Sequence, residues 1–176
     1  MLMGRAAFQK AVSMLWYHEG GLAQKLIHRL KYRRQEQLGG FLGRWYGSLL
    51  RADAALPTVD WVLPVPLHPR KKRRRGYNQC SLFGREIAKS LGASFSEHLL
   101  VRHRYGPTQT RASRDGRVQN ALKAFSVSDE GPLTNTRVLL VDDVLTTGAT
   151  LEGCCRALNR GNSGLEIYIA TMAVVP

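Results

Sequence analysis

Val138-Leu139-Leu140-Val141-Asp142-Asp143-Val144-Leu145-Thr146-Thr147-Gly148-Ala149-Thr150 decides how this chain is read. Its first four residues predict a buried strand, two adjacent carboxylates follow, and small and hydroxylated residues then turn the chain into a helix. In an open α/β sheet, ligands bind beyond the carboxyl ends of the strands, where Asp142 and Asp143 are expected. Side chains alternate along a strand, so the two carboxylates diverge, one toward each side of a ribose or its metal. Residues 146–150 open a helix, where unpaired amides and the positive end of the helix dipole hold phosphate. Gly148 allows the backbone a close approach. A sugar-phosphate site is the leading reading; an acidic turn capped by Thr is the bland alternative.

The chain has 176 residues, 44% of them hydrophobic, which fits one globular domain that buries roughly 70% of its unfolded surface. No stretch approaches the ~20 continuous apolar residues of a membrane span, and the opening residues carry no signal-type cleavage pattern, so a cytoplasmic location is expected. The net charge is +13 and uneven. Residues 60–120 hold 13 Lys/Arg against 4 Asp/Glu, residues 1–59 hold 9 against 3, and residues 121–176 hold 4 against 6. Such a field concentrates polyanions, small or polymeric. Cys80, Cys154 and Cys155 form no C-x-x-C pair and read as core thiols.

Apolar spacing predicts helices over 22–32, 37–50, 78–91 and 149–158, with a shorter one over 113–122 capped by Ser113. In the second of these, Leu38, Phe41, Leu42, Trp45, Leu49 and Leu50 are expected to face inward. Trp16, Trp45 and Tyr46 read as core or interface residues, with core preferred. Strands are predicted over 60–66, 98–102, 138–141 and 165–175, with loops over 104–112 and 128–135. Strand and helix alternate, so the fold class is α/β: a central, mostly parallel sheet flanked by helices on both faces. One domain is expected over 1–176, with a helical segment over 1–55 and the core over 56–176.

The 138–150 run closely resembles the phosphoribosyl pyrophosphate (PRPP) motif of type I phosphoribosyltransferases. Pro64-Val65-Pro66-Leu67-His68-Pro69, then Arg75-Gly76-Tyr77-Asn78-Gln79, resembles the ComF/GntX group within that fold. So does Arg102-x-Arg104 with Thr108-Gln109-Thr110, Ser113-Arg114, Arg117, Asn120 and Ala124-Phe125. The resemblance runs from about Tyr17 to Val175. Members of the group usually carry a four-cysteine zinc module before the first helix; no such cysteines are present, so no zinc site is carried over.

The resemblance implies that Asp142 and Asp143 contact ribose hydroxyls, and that Val144, Leu145, Thr146, Thr147, Gly148, Ala149 and Thr150 complete the PRPP loop. It implies a pyrophosphate loop at Val65, Pro66, Leu67, His68 and Arg70, although a lone His in a proline-rich turn is more often structural. Of the charge run 70–75, one or two members are expected at the diphosphate and the rest as solvated surface. Asn78 and Gln79 are balanced between capping a helix and touching ligand. Arg104 and Arg111 fall where the family has a closing loop, and are candidate catalytic residues beside Asp142 and Asp143, balanced against an ordinary basic surface loop. Mg²⁺ is implied as the cofactor, carried mainly by PRPP and touching Asp142 and Asp143 at most.

Three functions compete. The first is phosphoribosyl transfer from PRPP to a nitrogenous acceptor with release of pyrophosphate. The second is a competence-type role in handling single-stranded DNA, with phosphate contacts from the basic segment and stacking by Tyr77 and Tyr105. The third is a PRPP-sensing regulator without turnover. The acceptor and the oligomeric state are open, a dimer being one option.

Overall fold

In the computed structural model, which describes residues 7–33, 35–103, 124–128 and 133–176, the 138–150 run lies near the middle of a five-stranded parallel sheet. Its strands are β1 (Lys10–Trp16), β2 (Trp61–Pro64), β3 (Ser94–Phe95), β6 (Arg137–Leu145) and β7 (Glu166–Val174), in the order β1-β7-β6-β2-β3. A separate antiparallel pair joins β4 (Leu100–Arg102) to β5 (Phe125–Val127). The helices are α1 (Leu22–Tyr32), α2 (Glu36–Ala52), α3 (Pro69–Arg75), α4 (Gln79–Leu91) and α5 (Ala149–Asn159). The expected α/β class with a mostly parallel sheet is therefore present.

Alternation along β6 divides the core in two. Leu139 and Val141 pack with buried residues of α1, α2 and α4, among them Ile27, Leu42 and Phe83. Val138 and Leu140 point the other way, to Leu151, Cys154 and Leu158 of α5 and to Leu100 and Phe125 of the antiparallel pair. All three cysteines are buried and unpaired with one another.

Several expectations need correction. The 1–55 segment is not all helical, because residues 10–16 form edge strand β1, paired in parallel with β7. An edge strand exposed on one side lacks the long apolar run of an inner one, so its own sequence signals it weakly. In α2, Phe41, Trp45 and Leu49 are exposed at 56%, 48% and 50%, and Trp16 at 64%, against the inward placement expected. The buried stripe of α2 is instead Gly39, Gly40, Leu42, Gly43, Tyr46, Gly47 and Leu50. Glycines read as neutral in an apolar pattern, yet here they bring two backbones together. A Cβ on Gly43 would lie 2.5 Å from the Phe83 carbonyl oxygen of α4. Leu22, which opens α1, is likewise exposed.

The charge run 70–75 lies in a short helix, α3. Pro69 occupies its first turn, where the missing N–H costs nothing. Gly76, at φ 89°, ends it in a left-handed cap. The expected loop over 104–112 and helix over 113–122 lie outside the described residues, and with them Arg104, Tyr105 and Arg111. Among the described residues no helix is long and apolar enough to cross a membrane.

Candidate functional site

The strand β6 continues past Val141 to Leu145, so both carboxylates lie on extended backbone and not in a turn. On one side β7 stays in register, with Asp142 opposite Thr171. On the other side β2 ends at Pro64, opposite Val141. The inner sheet thus opens at the carboxylates, because a proline stops one strand while its neighbour runs on. The turn after β2 stays close: Val65 N–H donates to the Val141 carbonyl at 2.8 Å. Asn78 fixes this turn from the far side, its Nδ2 donating to the Val65 carbonyl at 3.0 Å. Its Oδ1 accepts from Cys80 N–H at 3.1 Å, so Asn78 also caps α4.

Asp142 and Asp143 take different partners, but a carboxylate oxygen of each stays within 4.8 Å of the other beside Cys80, closer than the expected divergence. Asp142 Oδ1 accepts from Asp143 N–H at 2.8 Å and lies 3.7 Å from Cys80 Sγ. Burial and the neighbouring Asp143 charge push the Asp142 carboxyl up to about 7. Burial, with the two carboxylates beside it, also pushes the Cys80 thiol well up. Asp143 is buried and doubly held. Lys31 Nζ of α1 donates to Oδ1 at 2.9 Å, and Gln79 Nε2 of α4 donates to Oδ2. Arg75 in turn donates to Gln79 Oε1, which links the last residue of α3 to the carboxylate through one side chain.

Residues 146–148 form the turn into α5, and Ala149 and Thr150 begin the helix. Gly148 takes φ 77° as the helix N-cap residue, a left-handed conformation that a side chain would strain. A small cavity of about 40 Å³ lies here, lined by Asp142, Val144, Leu145 and residues 146–151. It suits one compact group such as a phosphate and is far too small for a base. The amides opening α5 have no partner within their own helix, and they share this hollow with the dipole's positive end.

Of the pyrophosphate-loop candidates, Val65 is buried, and Pro66, Leu67 and His68 are half-buried beside the ends of β2 and β6. His68 Nδ1 accepts from Arg70 N–H at 3.2 Å and so caps α3. Arg70 is exposed with Lys71, Lys72, Arg73 and Arg74, whereas Arg75 is turned inward over the Tyr32 ring, 5.6 Å from its centroid. Tyr77 donates its hydroxyl to the Leu30 carbonyl and packs against the core. It therefore serves the junction of α1 with the site instead of presenting a free stacking face.

Cys80, Asp142 and Asp143 bring their ligand atoms within 4.8 Å of one another. This set does not suit Mg²⁺. A hard cation wants several oxygens, but both Asp143 oxygens already accept hydrogen bonds and Asp142 Oδ1 accepts another. The third member is a buried thiol that stays protonated. The described residues offer no oxygen cage of their own.

A cleft of about 810 Å³ adjoins the carboxylates under α1. Tyr17, Ile27 and Val144 line it together with Lys25, Arg29 and Lys31. Sequence reasoning missed Lys31 and this cleft. Lys31 is one of several cations on a basic helical face, and nothing local distinguishes it from solvated neighbours.

Comparison with known proteins follows the same outline. The phosphoribosyl transferase domain profile matches residues 78–175. The DNA utilization protein YhgH of Salmonella typhi is 32% identical over 141 residues, 78% of this chain and 61% of that protein. Competence protein F of Haemophilus influenzae is 33% identical over 140 residues, 77% of this chain and 61% of that protein. The chain thus spans under two thirds of the length of these relatives. Among solved structures, the glutamine PRPP amidotransferase of B. subtilis superposes with a TM-score of 0.50 at 21% identity, over 75% of this chain and 26% of that one. At that identity the likeness speaks for the fold alone.

Proposed function

The chain belongs to the phosphoribosyl transferase domain family, with ComF-type proteins among its relatives, and from that premise we propose that it binds PRPP and transfers its phosphoribosyl group to a nitrogenous acceptor. One observation carries the reading: the 146–150 loop, the Asp142–Asp143 pair and the turn after β2 converge where β2 stops and β6 runs on. The 5′-phosphate is assigned to residues 146–150, where amides and the helix dipole favour an anion. The ribose hydroxyls are assigned to Asp142 and Asp143. The diphosphate is assigned to the turn at 65–68 with Arg70 nearby.

In the transfer, the C1–O bond breaks and its electron pair leaves with pyrophosphate. The acceptor nitrogen supplies the pair for the new N–C1 bond and loses its proton to solvent. Charge builds on the ribose ring much as in glycoside cleavage. The chain's part is to orient the two reactants and to balance leaving-group charge. Magnesium, on this reading, arrives with the diphosphate as part of the substrate. A cytoplasmic location accords with this substrate.

Mg·PRPP is expected to raise the melting temperature, and D142N/D143N to abolish the shift. An unchanged melting curve at millimolar PRPP overturns the reading. Pyrophosphate release across a panel of acceptors then separates an enzyme from a PRPP sensor.

A second reading is favoured by the exposed cations of α3 together with the relatives' names, DNA utilization protein and competence protein F. In it, the basic surface holds single-stranded DNA by its phosphates. Such binding weakens steeply with salt. Absence of affinity at ~50 mM salt, or affinity insensitive to salt, excludes it.

A further inference from the structure

The cleft under α1 differs in character from the phosphate loop beside it. At about 810 Å³ it is the size of a small-molecule site. Its floor is apolar where Tyr17, Ile27 and Val144 meet, which suits one face of a planar ring. Its walls are cationic: Lys25, Arg29, Lys31 and Arg33 all line it, and no carboxylate is among the described residues that do. Its inner end is tied to the carboxylates by chain adjacency and by one contact. Val144 directly follows Asp143, and the Lys31 ammonium bridges the cleft wall to Asp143 Oδ1 at 2.9 Å. A ring resting on that floor therefore lies beside the carboxylates that the proposed function assigns to ribose.

We propose that this cleft is the acceptor site and that the acceptor is a planar ring bearing an anionic group, a carboxylate or a phosphate. The inference rests on the PRPP-transfer reading and sharpens its substrate class. Lys31 is already paired with Asp143, but a neutral base would leave Lys25, Arg29 and Arg33 of α1 and its cap on the cleft wall with no carboxylate among the described lining residues to offset them. An anionic ring offsets two or more and gains charge-assisted hydrogen bonds. Lys25 and Arg29, one turn apart on the exposed side of α1, are assigned to the ring's anionic group. Lys31 is a positioning residue, because it holds Asp143 while facing the acceptor.

The test is calorimetric titration of the full chain with matched rings that differ in charge: orotate against uracil, and AMP against adenosine. Titrations are run alone and with ribose 5-phosphate, which fills the phosphate loop but carries no leaving group. The anionic member of at least one pair is expected to bind about tenfold more tightly, the scale of one charge-assisted hydrogen bond. The pair that discriminates tells carboxylate from phosphate. K25A/R29A should abolish the preference, and the charge-keeping K25R/R29K should retain it. Because K25R/R29K replaces the same positions, a loss in the alanine variant alone reports charge and not misfolding. Equal binding within both pairs, a preference that survives in K25A/R29A, or no binding of any ring overturns the proposal. If Mg·PRPP gives its thermal shift while the rings show no preference, only this inference falls. If the PRPP shift is absent, the parent reading falls and the acceptor assignment with it.

Discussion

Lys31 Nζ meets Asp143 Oδ1 at 2.9 Å across 112 positions of sequence, and through this ion pair an N-terminal helix grips the carboxylate end of the central strand. The carboxylate is 9% exposed and the ammonium 24%, so the pair is shielded but not dry. Breaking one side of a buried pair strands the other charge. Partial exposure moderates that cost, and Gln79 still donates to Oδ2. Lys31→Met is expected to lower stability by about 1–3 kcal/mol. In K31M/D143N much of this loss should return, since no stranded charge remains. Chemical denaturation of the four members of the cycle measures the coupling, and strict additivity would refute it.

The glycine face of α2 makes a graded prediction. A Cβ at Gly43 would meet backbone, the Phe83 carbonyl oxygen at 2.5 Å, whereas one at Gly40 would meet the flexible end of Leu82 at 3.1 Å. Alanine gains helix propensity of about 1 kcal/mol at either site. At Gly43 the overlap can be relieved only by separating α2 from α4, so G43A should destabilise by about 1–3 kcal/mol. G40A should lie near neutral. Thermal melts of both variants decide, and equal effects would mean that backbone proximity does not govern the helix pair.

The same glycines explain what could be read from the sequence. The 138–150 run foretold the strand and the turn through Gly148 into a helix, because each residue there answers to local chemistry: alternation, capping and helix N-terminal amides. Helix positions were legible, but the rotation of α2 was not, since its closest contacts are made by residues with no side chain. Strand β1 was missed because pairing with β7 defines it more than its own composition does. Lys31, Gln79 and Arg75 converge on Asp143 from three helices, a meeting that only the assembled fold produces.

Exposure on α2 separates two neighbouring large residues. Leu42 is 2% exposed in the core, whereas Trp45, about one turn on and at the edge of the buried stripe, is 48% exposed. Leu42→Ala should cost about 2–5 kcal/mol. Trp45→Ser should stay within about 0.5 kcal/mol, as for a surface substitution. Denaturant midpoints at constant m-value provide the comparison. A large loss at Trp45 would contradict the orientation of the helix.

The cysteines should be silent in the native protein. Cys80, Cys154 and Cys155 are buried, and burial pushes all three thiols up, that of Cys155 to about 12. Thiolate is the reactive form. A disulfide reagent at pH 8 should therefore find no fast-reacting thiol in the native chain, and three once it is unfolded. One rapid native equivalent would show that a cysteine, Cys80 being nearest the site, has an open path to solvent.

Asp142 supplies a pH signature of opposite sign to that of an ordinary paired carboxylate. Its carboxyl is raised from 3.8 to about 7 in the folded chain by burial and by Asp143. The folded state therefore holds this proton more tightly than the unfolded state does. Its stabilising effect is complete below about pH 4 and is lost as pH climbs toward 7, where the folded chain must ionise a buried group beside another charge. Carboxylates with lowered values, such as Asp53 and Glu166, act in the other direction at more acidic pH, so the raw profile mixes signs. The difference between Asp142→Asn and the parent isolates the effect. The variant's advantage in melting temperature should grow from pH 4 to pH 7, by about 3 °C or more, and level off above. A difference that stays flat across that window would mean Asp142 ionises normally and that its neighbours do not confine its charge.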